Sequence, residues 1–398
     1  MKYTNFKDLK LSQLGYGIMR LPTVETNGPV DENKAEELIR YAYENGVNYF
    51  DTAYIYHGGE SERIIGKMLS RFPRDTWYLA NKMPGNFLKI EDGKIKFEAG
   101  FIKTGAEFYN HVSEIFELQL RKCDVEYFDF YLLHNVSEET FDLYTDEKLG
   151  IANYLLEQKK LGRIKHFGFS THAKPETLEK FLDIYDCFEF AQLQVNYLDW
   201  TLQDANKNHE ILTQHGLPII AMEPVRGGKL ANPGKRASAT LKAARPDLSP
   251  AAWAFRYLQE LPNIAVVLSG MTTMEQVKEN LEIFSKDDPM TESEKAALQK
   301  AIDEIATFVP CTSCRYCCDT CPQTLDIPNL IGLYNEAAYE FSWIVVDALA
   351  LLSEEEKPAA CIRCGVCTPH CPQNIDIPDI LHKFAEIIEK NNKGEQTT

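Results

Sequence analysis

The strongest constraint in this sequence is a run of cysteines that occurs twice. Cys311-x2-Cys314-x2-Cys317-x3-Cys321-Pro-Gln-x2-Asp-Ile-Pro returns as Cys361-x2-Cys364-x2-Cys367-x3-Cys371-Pro-Gln-x2-Asp-Ile-Pro. A duplicated unit predicts local two-fold pseudosymmetry near the C-terminal end. The chain holds 11 cysteines, and all but Cys123 and Cys187 lie after residue 310. In a reducing compartment these are not structural disulfides. Their crowding points to metal rather than to chance placement in a core.

An iron–sulfur cubane needs four thiolates at its corners. Three cysteines at three-residue intervals wrap three corners of one cluster, and in a duplicated run the fourth, before proline, serves the other cluster. Cys311, Cys314, Cys317 and Cys371 are therefore assigned to one 4Fe–4S cluster, and Cys361, Cys364, Cys367 and Cys321 to a second. Zinc sites usually combine Cys-x2-Cys pairs, or cysteine with histidine, in one tetrahedral set. Two intact copies of the longer run do not read that way. Cys318 is an extra thiol, and Cys123 and Cys187 read as small buried apolar residues. About 40 positions separate Cys321 from Cys361, and Leu330–Leu352 reads as helical. The region resembles the helical two-cluster ferredoxin domains rather than the compact β-rich ones.

Upstream, from residue 15 to about 285, short apolar runs alternate with amphipathic stretches. That pattern predicts βα units and a parallel sheet. The expected strands are Gly15–Leu21, Gly46–Asp51, Trp77–Lys82, Tyr127–His134, His166–Ser170, Phe190–Val195, Pro218–Glu223 and Ile264–Ser269. Helices fit between them, among them Ala106–Lys122, Pro175–Tyr185, Ala251–Glu260 and Met274–Phe284. Ala35, Leu38, Ile39 and Ala42 recur at helical spacing after a capping Asp31, before Asn45-Gly46 as a stop. Eight such units predict a closed (β/α)8 barrel. Residues 1–14 are expected to form a hairpin closing its floor. Residues 291–308 read as a connecting helix, opened by the capping-box pattern Thr291-Glu-Ser-Glu. The fold class is thus α/β: a (β/α)8 barrel over 1–290, the connecting helix, and a small, mainly helical two-cluster iron–sulfur domain over 309–398.

Composition narrows the function classes. At 398 residues, 44% hydrophobic and 25% charged, the chain reads as an ordinary soluble protein of two domains. Lys+Arg number 42 against 59 Asp+Glu, a formal charge of −17, which disfavours nucleic acid and anionic lipid as partners. The N-terminal residues lack a signal-peptide core. The most apolar stretch, Phe341–Leu352, is too short for a bilayer and reads as a buried helix. A cytoplasmic location follows as the expectation.

Four polar residues stand where barrel enzymes gather their chemistry, at the C-terminal ends of strands. Asp51 ends the second strand, Tyr56 follows in the next loop, Lys82 ends the third and His134 the fourth. A tyrosine is a poor acid at neutral pH, and a neighbouring ammonium lowers its pKa. Lys82 is expected to do this while Asp51 holds Lys82 charged. His134 would orient a carbonyl oxygen, and Tyr56 would protonate it. Any one of these in isolation is more often structural; the ordered set carries the reading.

Here the sequence resembles the aldo-keto reductases, in the branch with a C-terminal ferredoxin domain. The matching pieces are Leu14-Gly-Tyr-Gly17, Asp51-Thr-Ala-x2-Tyr56 with Ser61-Glu62, Lys82, Tyr131-Leu-Leu-His134, Gly168-Phe-Ser170, Gln194-Val-Asn-Tyr197, Glu223-Pro-Val-Arg-Gly-Gly228 and Glu279-Asn280. The resemblance implies NAD(P)H bound without a Rossmann fold. It implies that Ser170 and Gln194 hold the carboxamide. Met222, Pro224, Arg226 and Gly228 would cover the nicotinamide and pyrophosphate, with Arg226 a phosphate partner, and Glu279 and Asn280 would meet the adenine. Gly17, Met19, Asp51 and Ser269 complete the implied cofactor set. Two positions depart from the family pattern. Met222 stands where many members stack a tyrosine. Gln276 stands where many carry a basic grip for a 2′-phosphate, which leaves NADH and NADPH both open. His57 replaces a residue that is often glycine and reads as a rim residue without chemistry.

Three readings follow. The first is a nicotinamide-dependent reductase or dehydrogenase of a small carbonyl or alcohol. The second is an electron-transfer protein that uses its clusters with a redox partner protein, the barrel being a scaffold. The third, a barrel that binds without chemistry, is opposed by the intact tetrad.

Overall fold

The computed structural model of the chain describes residues 1–398 apart from 26–27, 92–93, 98–106, 306–308, 310, 312–314, 316, 319, 340, 372–374 and 394–398. The eight strands read from the alternation close into one all-parallel ring. In order they are Leu14–Gly17, Tyr49–Asp51, Tyr78–Met83, Phe128–Val136, Ile164–Thr171, Ala191–Gln194, Ile219–Met222 and Ile264–Ser269, the last pairing with the first. Helices cover the outside, so the strands are buried on both faces and read as apolar runs rather than alternating ones. Phe128, Phe130, Tyr131, Leu132 and Leu133 are all buried.

The barrel interior is filled rather than hollow. Tyr49, Ala80, Phe130, Leu132, Phe190, Ile220, Val266 and Leu268 form its core. The opening hairpin, Tyr3–Phe6 against Leu9–Ser12, inserts Phe6 and Leu11 into the same cluster and closes the floor as expected. Phe6 meets Phe130 at 5.3 Å and His166 at 5.0 Å between ring centroids, both edge-on. Chemistry is thereby confined to the opposite rim, where the strands end.

Outside the ring, the helix Glu32–Glu44 shows how local signals and burial agree. Asp31 accepts a hydrogen bond from the Lys34 N–H at 3.2 Å, and Ala35, Leu38, Ile39 and Ala42 are buried. The chain leaves the helix through Asn45 and Gly46, whose φ is +94°. The capping box at Thr291 also forms, since Thr291 N–H donates to Glu294 Oε2 at 2.7 Å and Glu294 N–H to Thr291 Oγ1 at 3.3 Å.

The structure differs from the sequence reading at four places. The first strand stops at Gly17, and Ile18–Arg20 forms one 3-10 turn, because Leu21 N–H goes to the His57 ring instead of to a neighbouring strand. The expected helix Ala106–Lys122 begins only at Val112. Glu107–Tyr109 instead joins Leu88–Glu91 and Lys94–Phe97 in an antiparallel sheet within the loop after the third strand. There the Tyr109 hydroxyl meets that of Tyr54 at 2.9 Å, and both hydrogen-bond to the Glu107 carboxylate, a contact that helical spacing does not reveal. Leu330–Leu352 resolves into two helices, Ile327–Tyr339 and Trp343–Ala350. The second of these is not fully buried: Val345 and Leu349 face inward, while Trp343, Val346 and the following Leu351 are exposed. Among the described residues no helix is long and apolar enough to cross a membrane.

The chain divides into two compact units, residues 1–232 with 244–295, and 233–243 with 296–398. The second is mainly helical. Its core joins Leu325, Ile327, Leu330, Ile331, Val345, Ile375, Ile377, Leu381 and Phe384 to Cys317 and Cys367. The duplication is visible here. Asp326 and Asp376 each accept a backbone N–H three residues on, at 3.4 Å, at the start of equivalent helices. Ile327 and Ile377, one residue later in each copy, are both buried.

Candidate active site and iron–sulfur centres

The barrel rim brings Asp51, Tyr56, Lys82 and His134 together. Lys82 Nζ lies 2.6 Å from Asp51 Oδ1 and 2.8 Å from the Thr52 carbonyl oxygen. The two side chains are only 1% and 4% exposed. The second Asp51 oxygen accepts from Gln192 Nε2 at 3.1 Å. Burial pushes the Asp51 carboxyl up and the Lys82 ammonium down, and each charge opposes that drift in the other. Lys82 Nζ stands 5.1 Å from the Tyr56 ring centroid, and the His134 ring meets the Tyr56 ring edge-on at 6.3 Å.

The backbone at Lys82 is fixed from beneath. Asn81 Oδ1 accepts from Lys82 N–H at 2.8 Å, and Gln119 Nε2 donates to Lys82 O at 2.9 Å. Both amides also donate to Glu62 Oε1 at 2.8 Å. Glu62 is fully buried, and burial raises its pKa, with Lys122 at 3.5 Å opposing. A closed set of hydrogen bonds of this kind holds a strand end at one height and orientation.

One electrostatic expectation is reversed. Lys82 was expected to lower the Tyr56 pKa. Burial, then the carboxylates of Asp51 and Glu223, hold it well above the ordinary tyrosine value. Burial is the main reason, and Asp51, in contact with Lys82, also offsets the ammonium charge beside the phenol. Tyr56 therefore keeps its proton, and its hydroxyl makes no hydrogen bond among the described residues. His134 is driven well below the ordinary histidine value by burial, with Lys82 and His172 adding to it, so the ring is neutral. Its Nδ1 is buried without a hydrogen-bond partner among the described residues.

His172, beside it, is lowered to about 4 by burial. A histidine depressed in the folded state costs stability as pH falls below its unfolded value of about 6.5 and until it protonates in the fold. His172→Gln is expected to remove up to about 1.4 kcal/mol per pH unit of acid-side stability loss between those limits. Denaturant melts of both proteins at pH 7, 6 and 5 check this, and parallel curves would refute it.

The cofactor candidates line the same rim, with some reassigned contacts. Ser170 Oγ accepts from Asn135 N–H at 2.8 Å, and its own proton remains for a ligand oxygen. Gln194 Nε2 donates to Asp199 Oδ2 at 2.9 Å, which leaves its carbonyl oxygen for a ligand amide. Gly17 and Ser269 sit at the ends of the first and last strands, and Met19 is half exposed. Met222 ends the seventh strand, Pro224 is buried after it, and Gly228 lies in a turn at φ +100°. Glu279 is half-buried, whereas Asn280 is buried and donates to Ser269 Oγ at 3.0 Å.

Arg226, expected at a phosphate, is buried and pairs with fully buried Asp199, Nε to Oδ1 at 3.0 Å. Gln276 is committed to the helix Met274–Ile283, its side-chain oxygen accepting from Thr272 and Thr273 N–H at 2.7 and 3.2 Å. The residues present fit a nicotinamide amide: among the described residues the Ser170 hydroxyl proton and the Gln194 carbonyl oxygen have no partner.

Sequence reasoning missed Gln192, Asp199, His172 and the electrostatic part played by Glu223. Gln192 carried a usable signal, a polar residue inside an otherwise apolar strand, Ala191–Gln194. His57 has a structural role that the sequence did not suggest. It holds the turn after the first strand by accepting Leu21 N–H at 3.0 Å on Nε2.

In the second unit, Cys321, Cys361, Cys364 and Cys367 line one cavity together with Leu325, Ile327, Pro378 and Leu381. Its space is about 320 Å³, open solvent included. These are the four thiols grouped from the sequence by exchange of the fourth cysteine. Burial, and after it the neighbouring Cys318 and Cys311, raises the Cys317 thiol to about 12. Cys371 is half-buried, and Cys314 lies outside the described residues. Among the described residues no three His, Cys, Asp or Glu side chains converge as on a single ion. Ligands of a cubane stand at separate corners and need no common point, so the thiol-lined cavity fits a cluster better than a bare metal.

The chain is similar to known proteins over both units. A model of the Aldo/keto reductase family matches residues 13–303, and one of a 4Fe-4S dicluster domain matches 310–375. A probable aldo-keto reductase of Glycine max is 27% identical over 56% of this chain, and the match spans 59% of that relative's length. The uncharacterized oxidoreductase YqkF of Bacillus subtilis is 26% identical, over 73% of this chain and 93% of the relative. A NADH-specific methylglyoxal reductase of Escherichia coli is 23% identical, over 69% and 90%. Among solved structures, aldo-keto reductase AKR11C1 from Bacillus halodurans in its holo form superposes with a TM-score of 0.58 at 25% identity, over 76% of this chain and 96% of that one.

Proposed function

This chain belongs to the aldo/keto reductase family, and from that premise we propose that it is an NAD(P)H-dependent oxidoreductase acting on a small carbonyl or alcohol. The observation that carries the reading is the rim itself: a protonated phenol, a neutral imidazole and a buried Lys82–Asp51 pair within one strand-end layer. A nicotinamide, when bound, supplies the hydride to the carbonyl carbon. Tyr56 gives the proton to the carbonyl oxygen. His134 orients that oxygen through its neutral ring. Lys82 and Asp51 fix the polarity around the phenol, and Ser170 and Gln194 hold the cofactor amide. The other members of the proposed cofactor surface are Gly17, Met19, Asp51, Met222, Pro224, Arg226, Gly228, Ser269, Glu279 and Asn280. An anaerobic screen of small aldehydes, ketones and alcohols with NADH and with NADPH tests the reading. Turnover of at least one is expected, and none with either cofactor would overturn it.

The second unit is proposed to hold two 4Fe–4S clusters, over 309–398 after the connecting helix 291–308 and the barrel 1–290. One set is Cys321, Cys361, Cys364 and Cys367, supported by their shared cavity. The other is Cys311, Cys314, Cys317 and Cys371. When bound, such clusters pass single electrons. Crossed ligation has a sharp consequence: Cys321→Ser with Cys364→Ser removes two ligands of one cluster and leaves roughly four irons per chain. Cys321→Ser with Cys314→Ser strikes both clusters and leaves roughly none. Iron analysis and electron paramagnetic resonance of the two variants decide it, and the opposite pattern would mean that each run feeds its own cluster.

The electron-transfer reading draws support from the exposed apolar residues Ile362 and Val366 beside exposed Cys364, a surface suited to a redox partner protein. Anaerobic titration with NADH or NADPH separates the two. Cluster reduction by the dinucleotide alone favours an enzyme with internal coupling, and no reduction favours clusters serving a separate partner or the fold.

A further inference from the structure

Arg226, the cation expected at the cofactor's phosphates, is buried and paired through its Nε with Asp199, and Gln276 caps a helix. A dinucleotide still brings two phosphate charges to the rim of a chain whose formal charge is −17. We propose that Arg20 supplies an exposed cation there and grips the pyrophosphate bridge of the nicotinamide dinucleotide. The inference rests on the oxidoreductase reading above.

Arg20 ends the 3-10 turn that follows the first strand. Its backbone is pinned on both sides. Thr272 Oγ1 donates to the Arg20 carbonyl at 3.0 Å, and the next N–H, of Leu21, donates to His57 Nε2 at 3.0 Å. His57 itself is held at φ +52° to reach this position.

The side chain lies in a slot made by two glycines. A Cβ on Gly270 would stand 3.0, 3.2 and 3.3 Å from Arg20 Cβ, Cγ and Cδ. A Cβ on Gly227 would stand 3.2 Å from the guanidinium Nη2 and 3.9 Å from Glu223 Oε2. Gly227 and Gly270 belong to the loops after the seventh and eighth strands, where barrels of this class commonly bind phosphate.

Arg20 is exposed, and among the described residues no carboxylate is ion-paired with it. The nearby Glu223 carboxylate accepts the Gly227 N–H. An unpaired planar fork, its backbone tied and its stem in a glycine slot between two phosphate-binding loops, matches the oxygens of a pyrophosphate.

The test is calorimetric titration of the intact, iron-loaded chain with NADH, NADPH and ADP-ribose. Arg20→Gln is expected to weaken all three by a similar factor, about 10- to 100-fold, the range for a lost charge-assisted contact. The NADPH-to-NADH ratio should stay as in the wild type. Arg20→Lys should recover part of the loss. Gly270→Ala, which keeps the charge but displaces the stem, should weaken binding in the same direction. Unchanged affinity in Arg20→Gln would overturn the proposal, as would a loss confined to NADPH, which would place the charge at the 2′-phosphate. A wild-type chain that bound none of the three would sink the oxidoreductase reading itself, a result distinct from equal binding by wild type and variant. Because the side chain is exposed, Arg20→Gln should melt as the wild type does, which separates lost grip from lost fold.

Discussion

Turnover of Tyr56→Phe is expected to fall by about 10²- to 10⁴-fold, the usual contribution of a positioned general acid, while the variant still binds dinucleotide. The substitution removes one oxygen that makes no hydrogen bond among the described residues, so the ring contacts with Lys82 at 5.1 Å and His134 at 6.3 Å survive. Burial, Asp51 and Glu223 keep the phenol protonated at neutral pH. Its acid form is thus the resident form, and carbonyl reduction should show no loss from Tyr56 ionisation across the neutral range. Single-turnover oxidation of NADH or NADPH, with separate measurement of kcat and KM, reads the effect. A variant with wild-type kcat would remove Tyr56 from the chemistry.

Lys82→Met is expected to destabilise the barrel by about 3–5 kcal/mol and to abolish turnover, because it leaves a buried carboxylate without its counter-charge. Asp51 would keep only the Gln192 contact at 3.1 Å. The deficit has a defined pH sign. An unpaired buried Asp51 has a folded pKa raised above its unfolded value, so the penalty is full above the folded pKa and shrinks as pH falls through it. Pairing Lys82→Met with Asp51→Leu should restore much of the stability but none of the activity, since two apolar groups leave no charge stranded. Denaturant midpoints of the single and double variants at two pH values check both statements. A single variant as stable as the wild type would mean that the pair is not holding the rim.

Much of this was readable because the signals are local. The strand Ile264–Ser269 was delimited by its apolar run, and the helix Glu32–Glu44 by its cap, its spacing and its glycine stop. Asp51, Lys82 and His134 were legible because a strand-end position is itself a prediction of place. What failed depended on partners far along the chain. Helical periodicity could not show that Glu107 and Tyr109 answer to Tyr54, 53 and 55 residues away. Nor could a basic residue in a glycine-rich turn announce that Arg226 belongs to Asp199, 27 residues earlier.

The sequence alone determined the ring of βα units, the duplicated thiolate run and the kinds of group at the rim, because periodicity, spacing and chemical identity are properties of neighbouring residues. Tertiary structure alone decided which charges cancel. Burial, with the carboxylates of Asp51 and Glu223, keeps Tyr56 protonated, and Arg226 pairs with buried Asp199, while Arg20 is ion-paired with no carboxylate among the described residues. Charge is written in the sequence, but its effect depends on distance and desolvation, and both arise only when remote segments pack.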